Sequence, residues 1–142
     1  MRKKAEELLR ESEARYRDIF EGAIEGIYRS SLRGEFTTAN PALAKMLGYD
    51  SPEGLVRAVK DSASQIWTDL AERSHFLRLL EERGIVRAYE CQFKRKDGAN
   101  IWISLNSRVV RDPTGCAAYF EGFIEDITAR KQAEAKAQQQ HL

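Results

Sequence analysis

The sequence predicts an α+β fold: one antiparallel sheet, short helices on one of its faces, and a helix at either end. Three observations carry this. Two short β-type segments precede a run of helix-start signals. Three alternating segments, joined by turn signals, follow it. Charged helical stretches bracket the whole.

Residues 2–20 read as a helix. Glu6 and Arg10, Glu11 and Arg15, and Glu13 and Arg17 stand four apart with the acid first, the favourable order. Leu8, Leu9, Ser12, Tyr16, Ile19 and Phe20 make a thin apolar stripe, too narrow for a buried helix. It suits a helix that lies on a surface or pairs with its own copy. Ile27–Ser30 and Phe36–Thr38 then read as two strands around a turn. Asn40 followed by Pro41 is a helix start, with Leu43, Met46 and Leu47 on one face and Gly48 at the end. Ser51-Pro52 repeats that signal for a helix carrying Leu55, Val56 and Val59. Asp69 with Glu72 has the spacing of a capping box, ahead of Phe76, Leu77 and Leu80.

The remainder alternates. Tyr89, Cys91 and Phe93 share one face of a strand. Ile101, Ile103 and Leu105 share that face on the next, after the hairpin signal Asp97-Gly98. A second turn at Asp112–Gly115 leads to a strand over 119–125, with Phe120 and Ile124 inward and Tyr119 and Phe123 outward. From Thr128 the chain turns helical again, through alanine and long charged side chains that need no core.

Composition narrows the function. Lys plus Arg number 23 against 22 Asp plus Glu, a net charge of +1, which gives no reason to expect nucleic acid or an anionic membrane as partner. Met1–Lys4 resembles the start of a signal peptide, but Ala5-Glu6-Glu7 stands where an apolar stretch is required. The expectation is a soluble, cytoplasmic chain with two reduced thiols, Cys91 and Cys116. No nucleophile stands beside a base, and neither Asp97-Gly98 nor the Gly22–Gly26 region makes a phosphate loop. The chain is not expected to be an enzyme.

The order of elements and several segments together resemble the PAS domain with its PAC motif, over roughly residues 13–134. The segments are Arg15–Glu21, Gly26–Ser30, Asn40–Tyr49, Arg95–Gly98 with Trp102, Val110–Asp112 with Gly115, and Gly122 ahead of Asp126-Ile127-Thr128. Where the family often has a histidine-proline-acid loop, this chain has Ser64–Asp69. The resemblance implies a five-stranded sheet cupping a cavity under the short helices. It further implies a bacterial sensor whose output domain, a histidine kinase or diguanylate cyclase, is covalently linked beyond the last helix. Residues 1–14 would be a flanking helix, 15–127 the sensory domain and 128–142 a signalling helix.

On that reading the pocket candidates are Tyr89, Cys91, Phe93, Ile101, Ile103, Leu105, Phe120 and Ile124, with Tyr89 as a polar handle. Either they fill a plain core or they line a small apolar cavity for an unidentified ligand. Haem is not expected, since His75 is a lone histidine at a different turn from the ligand of haem-binding relatives. Flavin is not expected either: the short helices lack a cysteine, and apolar Phe93, Ile103 and Ile124 stand where amides would be needed. No metal is expected. Asp126, Ile127, Thr128 and Arg130 form the expected relay to the last helix, with Asp126 or Thr128 as its cap and Arg130 within reach of Asp126. A homodimer is expected through Leu8, Leu9, Tyr16 and Ile19 against the outer face carrying Trp102, Tyr119 and Phe123. The alternative function is a dimerisation or scaffold module that binds nothing.

Overall fold

The computed structural model describes residues 2–140, so residue 1 and residues 141–142 of the two predicted flanking segments lie outside the described residues. The elements run α1 (Arg2–Gly22), β1 (Gly26–Ser30), β2 (Phe36–Ala39), α2 (Pro41–Met46), α3 (Pro52–Ala58), α4 (Ser62–Gln65), α5 (Leu70–Arg83), β3 (Ile85–Lys94), β4 (Asn100–Arg111), β5 (Ala117–Asp126) and α6 (Thr128–Gln140). The sheet is antiparallel, in the order β2-β1-β5-β4-β3.

Local chemistry starts each short helix. Asn40, Ser51, Asp61 and Asp69 accept hydrogen bonds from Leu43, Gly54, Ala63 and Ala71 respectively, which satisfies amides that have no partner within the helix. Pro41 and Pro52 sit at first positions, where no donor is needed. The capping box predicted at Asp69 does not close. Glu72 instead sends its carboxylate across to the Tyr89 hydroxyl on β3. α4 has no periodic signature in the sequence, because four residues do not complete a repeat.

α2 to α5 cover one face of the sheet, and the core lies between. Leu43, Leu47, Leu55, Ile66, Leu80, Ile103 and Ile124 are almost completely buried. Each contributes roughly 1.5–3 kcal/mol against exposure. The register pairs Leu105 with Ile124 and Cys91 with Ile103, so the predicted alternation places these residues inward. β3 is an edge strand, and the chain after α4 partly covers it: the Lys94 amide donates to the Ile66 carbonyl at 2.7 Å and Trp67 bridges to Phe93. β3 also carries a bulge between Val86 and Tyr89, where Ala88 adopts a left-handed φ of 53°.

Candidate functional site

The inner face of the sheet is largely filled. A pocket of about 50 Å³ remains, room for only a few waters, since one needs roughly 10–15 Å³. Of the eight candidates, Phe93, Leu105, Phe120 and Ile124 line this pocket, whereas Tyr89, Cys91, Ile101 and Ile103 do not. Tyr28, Phe36, Trp67 and Phe76 complete the apolar wall, packed ring against ring at centroid separations of 5.0–5.8 Å. Sequence reasoning missed these as pocket residues. Trp67 was the available signal, a large aromatic side chain in a segment without periodicity.

Tyr89 is not a polar handle for the pocket. Its hydroxyl donates to Glu72 on α5 and lies 3.0 Å from His75 Nδ1. Tyr89 shares the inward face with Cys91 and Phe93, opposite Leu105, and its ring packs against Phe76 of α5, the helix over that face. Desolvation first, then the Glu72 carboxylate, pushes its hydroxyl well above the ordinary tyrosine range. Tyr28 takes a buried polar role instead: its hydroxyl donates to Ser107 Oγ at 2.7 Å, and burial raises its pKa too. Burial, with Glu72 nearby, pushes the Cys91 thiol up to about 12, so it is a neutral packing group. Among the described residues no cluster of His, Cys, Asp and Glu could hold a metal ion.

The junction between β5 and α6 is bound to the sheet at several points. Ile127 is buried, and its amide donates to the Trp102 carbonyl at 2.9 Å. The Trp102 amide in turn donates to Thr128 Oγ1 at 3.1 Å. Asp126 Oδ1 accepts from the amide and the hydroxyl of Thr128, at 2.9 and 2.6 Å. Arg130 makes no ion pair with that carboxylate. Arg130 pairs with Glu90 on β3 and Glu134 on its own helix. Lys131 joins the same Glu90 at 2.6 Å and lies 4.9 Å above the Trp102 ring. Glu90 was not among the predicted relay residues. It reaches the helix only because β3 and β4 are in register.

On the outer face, Trp102 and Tyr119 are partly covered within the chain, Trp102 by Lys131 and Tyr119 by the Arg29 guanidinium 4.8 Å from its ring centroid. Phe123 remains exposed. Leu8, Leu9, Tyr16 and Ile19 are all about 60% exposed or more, so α1 does not lay its stripe on its own sheet. A groove of about 630 Å³ opens between the end of α1 and the outer face, among Tyr16, Ile19, Ile27, Asn106 and Phe123.

This architecture is matched by known proteins. The PAS fold matches residues 14–127. The chain belongs to the PAS family. Among its relatives are a sensor histidine kinase, TmoS, of Ectopseudomonas mendocina, 28% identical over 127 residues, 87% of this chain and 12% of that protein. A second is a probable diguanylate cyclase, DgcE, of Escherichia coli (strain K12), 28% identical over 133 residues, 91% of this chain and 12% of the relative. The chain thus spans about an eighth of either relative. The PAS domain of a protein from Colwellia psychrerythraea superposes with a TM-score of 0.68, at 18% identity, over 82% of this chain and 97% of that one. A light-oxygen-voltage domain studied with a flavin analogue gives 0.63, at 17% identity, over 88% and 94%. At such identities the likeness concerns the fold alone. This PAS domain is a sensory module of the kind found in signalling kinases and cyclases, and none of its described helices is long and apolar enough to cross a membrane.

Proposed function

We propose that this PAS domain senses a small ligand or partner at its inner face and relays the state through α6 to an output domain linked beyond it, in a bacterial cytoplasmic sensor. Catalysis would belong to that output domain. The observation that carries the reading is the attachment of α6. Its tethers to the sheet come from the Asp126–Lys131 junction and engage Trp102 and Glu90, on β4 and β3. Residues 132–139 of the helix are exposed, and they have too little apolar surface to hold the helix in place. A change in sheet geometry therefore alters the base of α6 first.

The test is a fusion of this chain to a kinase or cyclase, with Asp126→Ala and Glu90→Gln. Both variants are expected to lose the signal response while circular dichroism and sedimentation stay unchanged. An unchanged response would leave Asp126 a cap and Glu90 a surface ion pair. Acid should act similarly. Hydrogen bonds from Lys131 and Arg130 hold the Glu90 carboxyl below its ordinary pKa. The tether is thus complete above the usual carboxylate range and is lost as pH falls through the lowered value.

The second reading, a ligand-free dimerisation or scaffold module, is favoured by how little space the inner face leaves. Native mass spectrometry of freshly purified protein, with an absorbance spectrum, separates the two. Either reading allows a homodimer, in which α1 of a second copy occupies the outer groove. The exposed stripe of α1 is an apolar surface that one chain leaves uncovered. Sedimentation at tens of micromolar is expected to show a dimer weakened by Ile19→Asp, and a monomer there would sink it.

A further inference from the structure

The inner pocket has one charged side chain on its lining. Arg73, on the second turn of α5, reaches the pocket rim at the β1–β2 turn, beside Gly34. Among the described residues its guanidinium enters no ion pair. Ser62, buried at the start of α4, brings its hydroxyl to the same place. A methyl group built on Gly34 would lie 2.4 Å from Ser62 Oγ and 3.3 Å from Arg73 Nη2. Both polar groups thus pack close against Gly34, where a side chain would otherwise stand, and both line the pocket there. Gly34 has a φ of 92°, so the turn itself selects a residue without Cβ. Behind this rim the wall is apolar, with Trp67, Phe76, Phe93 and Ile124. The neighbouring carboxylates of Asp61 and Asp69 are engaged in capping α4 and α5.

We propose that this rim is a carboxylate subsite, in which Arg73 and Ser62 hold the head group of a short-chain carboxylate whose alkyl tail enters the inner pocket. The proposal rests on the sensory reading above and names the ligand class for it. A guanidinium stays charged at every physiological pH and presents a planar fork matched to a carboxylate. The pocket volume of about 50 Å³ takes a tail of about two or three carbons at roughly one water-sized volume per carbon. Longer chains would require Trp67 or Phe76 to move.

The test is titration of the isotope-labelled chain with sodium propionate, propionamide and sodium chloride at matched ionic strength. The Gly34 amide and the Trp67 indole signals are followed by NMR. Propionate is expected to saturate both with an affinity on the order of millimolar, as its small size allows. Propionamide should bind at least about tenfold more weakly, as should propionate to Arg73→Gln, the loss of a hydrogen bond to a charged group. Arg73→Lys should retain more affinity than Arg73→Gln, and Ser62→Ala should lose several-fold. Well-dispersed amide spectra show that the variants fold. Propionate shifts no larger than those of chloride, or equal in Arg73→Gln, overturn the subsite. Propionamide binding as well as propionate overturns it too, yet leaves ligand sensing standing. If neither compound binds and native mass spectrometry finds an empty protein, the ligand-sensing reading falls with it.

Discussion

Gly122→Ala is expected to destabilise the domain by about 4 kcal/mol, at the upper end for a single substitution. Gly122 lies in the middle of β5, opposite Tyr28 on β1 and Ser107 on β4. A Cβ at this position would lie 1.8 Å from the Asn106 carbonyl oxygen and 2.8 Å from Ser107 Cα. These are backbone atoms of the neighbouring strand, so no rotamer change relieves the overlap. Relief requires β4 and β5 to part, which breaks ladder hydrogen bonds at the centre of the sheet. For a domain of this size the loss corresponds to a fall in Tm of roughly 10–20 °C. The control is Gly22→Ala at the end of α1, where an added Cβ meets nothing within 4 Å. That variant is expected to hold its Tm or raise it slightly, since alanine favours helix over glycine. Thermal unfolding of the pair decides it. A fall of less than a few degrees for Gly122→Ala would show that the two strands yield easily at this point.

The sheet was legible because alternation is a local property. Cys91, Phe93, Ile103 and Leu105 announce their face by spacing, and a single register then fixes the rest. Asn40, Ser51 and Asp69 were legible as caps because a cap acts within three residues. What escaped the sequence depends on distant neighbours. Arg130 has a carboxylate four residues away in Asp126, but the pairing goes to Glu90, forty positions earlier, which the sheet brings beneath α6. Tyr89 fits the inward alternation of its strand. Its hydroxyl meets Glu72 on α5, the helix over that face, and neither this partner nor the bulge at Val86–Tyr89 is marked in the sequence. The part of the pocket wall that escaped, Tyr28, Phe36, Trp67 and Phe76, comes from four different segments. Only the folded chain brings them together.

Asn40→Ala is expected to cost about 3 kcal/mol, well beyond a single helix cap. Asn40 is completely buried, and every polar atom of its side chain is engaged. Oδ1 accepts from the amides of Ile27 and Leu43, at 2.8 and 3.1 Å. Nδ2 donates to the carbonyls of Phe20 and Glu25, both at 3.0 Å. One side chain thus ties the end of α1, the start of β1 and the first turn of α2. Capping alone is worth about 1 kcal/mol. The remainder comes from backbone groups left without partners in a buried place, at about 1–3 kcal/mol where water cannot reach. Asn40→Asp separates the two halves of the network. A carboxylate keeps the Ile27 and Leu43 bonds but turns an oxygen toward two carbonyl oxygens. Burial and those carbonyls would raise the folded-state pKa of the new acid above its unfolded value. The protonated form, which can donate to one carbonyl, is then favoured by folding, so Asn40→Asp should regain stability as pH falls toward 4 and lose it as pH rises through the raised pKa. Urea unfolding of both variants between pH 4 and 8 tests this. Equal loss for Asn40→Asp at both ends of the range would mean that the Phe20 and Glu25 carbonyls find water instead. In that case Asn40 would be a cap for α2 and no link between α1 and the sheet.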